Sequence, residues 1–393
     1  MLLSLVLLLI VGFVSMKVVS YFRLPGLIGM LIVGVLFGPY VFSLLDENLL
    51  LVSQDLRHFS LIIILIRSGL GLQRSQLKKV GRPALKMSLI PCLFEGFTVM
   101  IVSYYLLDFS LIEGGMLGFI LAAVSPAVVV PSMIELEEAG YGTDKGIPTL
   151  LLAGASIDDV FAITIFSFFL SSAIGVEQSI LSVFVKIPYS IIGGVVGGLL
   201  VAVIILLVTR SKRIVLRQTE YLLILLTLSV LYFYIGESLQ LASLLGVMVT
   251  GFIILDQEPF QAKILSRKLA SIWVFAQIIL FTLVGAEVNI ELAIEAGLIG
   301  LMIIAIGLLA RSAGVWLATA GSNLSNKERF FCMIAYMPKA TVQAAIGSLP
   351  LAAGLEAGGI ILAIAVLSIV VTAPLGAIGI RYSAPRLLTK NEG

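Results

Sequence analysis

The sequence predicts an all-α polytopic membrane protein built as an inverted repeat, and three observations carry that reading. Sixty per cent of the 393 residues are hydrophobic and only 12% are charged, far from the roughly one quarter charged residues of a soluble domain. The apolar residues fall into stretches of about 20, the length that crosses a bilayer core. Helix breakers then recur in two of those stretches at corresponding depths. Lys and Arg exceed Asp and Glu by 25 − 23 = 2, too few for a phosphate-binding surface, so no nucleic acid partner is expected. Cys92 and Cys332 each lie in an apolar stretch and form no CxxC pair, and His58 is the only histidine. That composition excludes a disulfide framework and a His-based zinc or haem site.

About thirteen spans emerge in order: Met1 to Ser20, Leu24 to Leu45, Leu56 to Leu72, Pro83 to Leu107, Leu111 to Met133, Ile147 to Ile174, Ile180 to Thr209, Tyr221 to Ile235, Leu239 to Leu255, Leu269 to Val284, Leu292 to Ala320, Phe330 to Ala352 and Gly358 to Ile380. Met1 to Ser20 lacks a basic n-region and a small-residue cleavage site, so it reads as a retained first span. Alternate loops hold the positive charge: Lys17 and Arg23, then Arg74, Lys78, Lys79 and Arg82, then Arg210, Lys212, Arg213 and Arg217, then Lys263, Arg267 and Lys268, then Lys327 and Arg329, and finally Arg381, Arg386 and Lys390. The opposite loops carry Asp46, Asp55, Asp108, Glu113, Glu177, Glu237 and Glu291, with Arg57 as the main exception. The positive-inside rule then puts the N-terminus outside and the C-terminus in the cytoplasm, despite an acidic inside loop at Glu135, Glu137 and Glu138.

A charge at mid-membrane costs about 3 kcal/mol on insertion scales, so each one needs a partner, a watery cavity or a function. Asp158 and Asp159 sit centrally in the sixth span, Glu95 in the fourth, Arg311 in the eleventh and Lys339 in the twelfth. Adjacent aspartates on a helix project about 100° apart, which implies two roles. One faces a hydrated cavity and takes a monovalent cation or a proton; the other turns to a basic neighbour. Carboxylate oxygen suits a hard cation, and low dielectric favours the neutral, protonated form, so one site holds either species but not both. A structural ion pair with Arg311 or Lys339 is the bland alternative.

The fifth span contains Ser125-Pro126 and the twelfth Pro338-Lys339, and each proline can unwind its helix and free backbone carbonyls. Interrupted segments in matching positions of two halves point to a transport site. Lys339 beside the second break supplies a cation that can balance the negative ends of two facing half-helices. Spans four to six read Glu95, break, aspartate pair; spans eleven to thirteen read Arg311, break, apolar helix. An offset of seven spans is odd, so the second triplet enters from the opposite side. Glu95 and Arg311 then hold equivalent places and are expected to pair. Ser125, Thr341 and Gln343 are candidate polar lining at the breaks. In the seventh span Gly193, Gly194, Gly197 and Gly198 have the spacing of close helix packing.

At this point the sequence resembles the cation/proton antiporter superfamily, and most closely its NHA-type sodium/proton exchangers. The likeness rests on Ala155-Ser-Ile-Asp-Asp159, on Ala123-Val-Ser-Pro-Ala-Val-Val-Val-Pro-Ser-Met133 and on Met337-Pro-Lys-Ala-Thr-Val-Gln-Ala-Ala-Ile-Gly347, with a weaker match at Arg67. The resemblance implies a homodimer of thirteen- or fourteen-helix subunits in which two broken helices cross near the aspartates. It divides the chain into scaffold or dimerisation helices (1–80 and 216–290), core helices (81–175 and 291–393) and a linker helix (176–215). It makes Asp159 the main carrier of Na+ or Li+ and of the proton, with Asp158 assisting or paired, and Arg311, Glu95 and Lys339 as supporting charges. Ser125, Pro126, Pro338 and Thr341 line the breaks. No cofactor is implied beyond the transported ions.

The expected activity is therefore antiport of Na+ or Li+ against H+ across a prokaryotic cell membrane, serving sodium and pH homeostasis, and not an enzymatic reaction. A K+/H+ exchanger or a cation-coupled organic solute carrier fits the same architecture. An intramembrane aspartyl protease needs two carboxylates facing each other from separate helices, which adjacent aspartates on one helix do not provide.

Overall fold

The computed structural model describes residues 1–22, 24–72, 74–175, 180–210 and 217–391. Among the described residues the chain is helical, with one isolated antiparallel bridge between Tyr141 and Lys390. The helices are α1 (Leu2–Tyr21), α2 (Gly26–Phe37), α3 (Glu47–Leu51), α4 (Ser53–Gly69), α5 (Arg74–Leu106), α6 (Leu111–Leu121), α7 (Pro126–Glu138), α8 (Ile147–Ala173) and α9 (Ile180–Thr209). They continue as α10 (Gln218–Ser238), α11 (Ser243–Gln257), α12 (Pro259–Ala286), α13 (Ile290–Glu295), α14 (Gly297–Ala318), α15 (Asn326–Ala335), α16 (Thr341–Ile346), α17 (Leu349–Ala352) and α18 (Gly358–Leu387). Nine stretches among the described residues are long and apolar enough to cross a membrane, counting α6 with α7 as one, and α2, α11 and the pair α16–α17 are shorter apolar segments.

Packing sorts the helices into two groups. The first comprises α1, α2, α4 and α9 to α12; the second comprises α5 to α8 and α13 to α18. Contacts between the groups run chiefly through α8 with α9 and α11, and through α4 with α7. Helix ends define two faces. Asp46, Ser110, Gln240 and Glu287 lie on the first face, and Glu138, Lys145, Glu258 and Glu328 on the second.

Glycine allows the closest crossings. A Cβ on Gly198 would meet the backbone of Gly246, and one on Gly194 the carbonyl of Ala242, so the glycines of the seventh span seat α9 against α11. Gly118 of α6 lies against the carbonyl oxygen of Gly96 on α5 in the same way. Backbone has no room to yield there. Gly118→Val is expected to lower the thermal stability of the purified protein by about 1–3 kcal/mol, the usual cost of overpacking, with a melting curve in detergent as the check.

Several boundaries differ from the sequence expectation. The helix after the first break runs on to Glu138, so Glu135, Glu137 and Glu138 occupy its last turn and not a loop. Its last residue, Glu138, meets Arg67 of α4 at 2.5 Å. Arg67 is thus an ion-paired residue. Lys263, Arg267 and Lys268, expected in a loop, lie inside α12, which starts at Pro259. Proline at the first helical position suits that early start, and Lys268 donates to the Thr219 hydroxyl at 3.2 Å. The second span is helical only to Phe37, where Gly38 and Pro39 end it. Arg57 is buried and forms a two-pronged ion pair with Glu287, so the exceptional positive charge is neutralised within the protein. Arg23, Glu177, Lys212 and Arg213 lie outside the described residues, as do the side chains of Arg74, Lys78 and Lys79.

Candidate functional site

The two interrupted helices meet at their breaks. Helix stops at Ala122 and resumes at Pro126; it stops again at Tyr336 and resumes at Thr341. The Ser125 amide donates to the Pro338 carbonyl at 2.8 Å, and the Ser125 and Thr341 hydroxyls lie 3.5 Å apart, so the unwound strands cross in contact. Proline is tolerated at Pro126 because the first turn of a helix has no use for its amide. Pro338 lies in the second unwound strand and packs closely against Gly376 of α18.

Unwinding leaves backbone groups that must be satisfied inside a membrane. Gln343 donates its amide nitrogen to the carbonyls of Ile120 and Ala123, each at 2.9 Å. Arg311 donates to the carbonyls of Ala122 and Tyr336, the latter at 2.6 Å. The Val124 amide donates to Asp158 Oδ2 at 2.8 Å, and the Lys339 amide to the Thr372 hydroxyl at 2.9 Å. Balancing the negative helix ends, expected of Lys339, therefore falls to Arg311. Its planar fork carries five donors, enough for two carbonyls and two carboxylates, whereas an ammonium has three.

The buried charges form one network at the crossing. Arg311 Nη1 lies 2.9 Å from Glu95 Oε2, and its Nη2 contacts the two oxygens of Asp158 at 3.3 and 3.2 Å. Lys339 Nζ lies 2.6 Å from the same Glu95 oxygen. Glu95, Asp158, Arg311 and Lys339 are each at most 1% exposed. The Tyr336 ring covers the guanidinium, its centroid 5.0 Å from Arg311 Cζ. Every member supports another, which is what buried charges require.

Asp159 stands apart from this network. Its Oδ1 is buried with no hydrogen-bond partner among the described residues, and its side chain lines a cavity of about 610 Å³. The cavity also touches Pro126 and Thr341, so it runs to the crossing. Its other wall comes from the first helix group, through His58 of α4, Tyr189 and Ser190 of α9, and Phe233 and Glu237 of α10. The adjacent aspartates thus do different things: Asp158 is locked to Arg311, and Asp159 lines the cavity without a basic partner among the described residues.

Three participants were not singled out from sequence. Tyr336 reads as an ordinary aromatic, and Thr372 as a small polar residue of a packed helix. Met248 of α11 accepts from Ser156, which lies one turn before Asp159 on α8, at 3.5 Å and from Ser68 at 3.9 Å, and methionine carries no sequence signal for such a place. Gln343, by contrast, lies in the quoted motif, where a long amide beside a break is a visible candidate for capping freed carbonyls.

The transmembrane sodium/hydrogen exchanger family matches residues 5–382. This chain belongs to that family. It is 36% identical to sodium/hydrogen exchanger 9B2 of Homo sapiens over 94% of its own length and 71% of that protein's. It is 32% identical to sodium/hydrogen exchanger 9B1 of Homo sapiens, over 94% and 73% respectively. The fold is that of the sodium proton antiporter MjNhaP1 from Methanocaldococcus jannaschii, with a TM-score of 0.76 over 98% of this chain and 97% of that one, at 18% identity. The exchanger is accordingly a multi-pass membrane protein.

Proposed function

We propose that this exchanger moves one Na+ or Li+ against one H+ per cycle, with the two ions competing for Asp159 and no cofactor taking part. The observation that carries the proposal is the division of labour between the aspartates. Asp158 is engaged by Arg311 and the Val124 amide, while the Asp159 side chain lines the cavity and its buried Oδ1 has no hydrogen-bond partner among the described residues. Asp158 then shapes the site and does not travel through a protonation cycle of its own.

Charge arithmetic sets the stoichiometry. Glu95, Asp158 and Asp159 against Arg311 and Lys339 give −3 + 2 = −1 when all are ionised. A single monovalent cation or a single proton on Asp159 cancels that remainder. Arginine does not release its proton in proteins, so Arg311 contributes no second one. The loaded forms in both directions are neutral, and exchange is electroneutral. In proteoliposomes with a sodium gradient, proton movement is expected to run at the same rate under an imposed potential of either sign. A rate that follows the potential would refute one-for-one exchange.

The second helix group acts as the moving core (81–175 and 291–393), and the first as the scaffold (1–80 and 216–290), with the linker 176–215 staying with the scaffold because its helix α9 packs chiefly on α10 and α11. The cavity lies between the groups, which supports alternating access by displacement of one against the other. The protein crosses the cell membrane of a prokaryote about thirteen times, with the first face and N-terminus outside and the second face and C-terminus in the cytoplasm. Arg67, Lys145, Arg210, Arg329 and Arg386 gather at the second face and support that orientation. A homodimer joined through scaffold helices follows from the family resemblance.

A further inference from the structure

We infer that the scaffold wall of the cavity selects for cations before they reach Asp159, with Glu237 as the recruiting residue and Lys186 as its electrostatic counterweight. The inference rests on Asp159 being the exchange site. Among the described residues that line the cavity, Asp159 and Glu237 are the two carboxylates, and Lys186 is the lysine. Glu237 lies in the last turn of α10, at the first face. Asp159 lies fourteen residues before the end of α8, at Ala173 on that same face, a depth of about 20 Å at 1.5 Å per residue. A cation from the first face therefore passes the carboxylate on one wall before meeting the carboxylate on the other.

The core wall between these two points offers oxygen lone pairs. The Thr164 hydroxyl donates its proton to the Val160 carbonyl at 2.6 Å, and the Ser167 hydroxyl to the Ile163 carbonyl at 2.7 Å. With both protons turned into the helix, the lone pairs of these cavity-lining oxygens are what remains for the cavity. Such a wall suits a partly dehydrated cation and offers an anion no donor. A narrow channel with low-dielectric walls focuses the field of a fixed charge, so Glu237 raises the local cation concentration and Lys186 lowers it. No ion pair joins Glu237 to Lys186 among the described residues, so the two act on the cavity as separate, opposing charges. Both belong to the scaffold wall, on α10 and α9, and hold their places relative to the membrane when the core moves. Their influence is consequently confined to cations arriving from one side.

The test is the half-saturating Na+ concentration for exchange, measured with Na+ supplied to the first face in right-side-out vesicles and to the second face in everted ones. Glu237→Gln is expected to raise the first-face value about two- to fivefold, the range that a single exposed charge reaches. Lys186→Gln is expected to lower it by a similar factor. Both effects shrink as ionic strength rises and the screening length falls below about 8 Å. Glu356→Gln removes an exposed carboxylate from the first face outside the cavity and leaves the value where it was. Active variants whose first-face values are unchanged, shift in the same direction, or shift equally on both faces would overturn the inference while leaving Asp159 as the exchange site. Loss of exchange specific to Asp159→Asn remains the separate measure of that site.

Discussion

Asp159→Asn is expected to abolish sodium-driven proton movement while leaving the fold intact. The unpartnered Oδ1 makes no bond that the amide would break, and the change removes a charge from beside a buried network. The variant should therefore melt at or above the wild-type temperature in detergent without sodium. What it loses is ligand stabilisation. In the wild type, sodium at 100 times its dissociation constant adds about 2.7 kcal/mol to the folded state by mass action; in the variant that increment vanishes. Proton competition gives the wild-type effect a sign with pH. Protons and Na+ bind the same carboxylate, so lowering the pH through its titration weakens apparent sodium affinity, by up to about tenfold per pH unit. Melting curves with Na+ and Li+ across pH would show this slope in the wild type and a flat line in the variant. A variant that still exchanged sodium for protons would assign the carrier to another group.

How much of this was legible in the sequence follows from what kind of signal each residue carries. The membrane class came from composition, and the breaks from Pro126 and Pro338, because hydropathy and proline act locally. The pairing of Glu95 with Arg311 was legible through the repeat, since spans four and eleven occupy equivalent places and opposite charges in lipid must meet. Partners set by side-chain direction were harder. Nothing local says that Arg67 reaches Glu138, 71 positions away, on a helix that runs past the expected end at Met133. Lys339 adjoins the break in sequence, yet its ammonium points at Glu95, and the guanidinium from a different helix serves the carbonyls. The scaffold wall of the cavity was illegible for the same reason. His58, Lys186 and Glu237 sit in three separate helices, and only packing brings them opposite Asp159.

Arg311 performs two tasks at once, and paired variants separate them. It neutralises Glu95 and Asp158, and it caps the carbonyls of Ala122 and Tyr336. Arg311→Met removes both functions and strands Asp158 as a fully buried carboxylate whose remaining donor is the Val124 amide. Breaking a buried pair in this way costs about 3–5 kcal/mol, and uncapped carbonyls add about 1–3 kcal/mol each. The single variant is therefore expected to lose most of its folded yield and all exchange. Adding Asp158→Asn restores the charge balance: Glu95 keeps Lys339, Asp159 keeps the net −1, and no carboxylate is left without a cation except the one that binds the transported ion. The double variant should melt higher than Arg311→Met alone, yet below the wild type, because Ala122 and Tyr336 still lack their donor. Thermal unfolding of the wild type and the two variants in the same detergent reads both differences. A double variant no more stable than the single one would mean that the guanidinium matters for the broken helices alone, and the charge arithmetic behind electroneutral exchange would lose its structural basis.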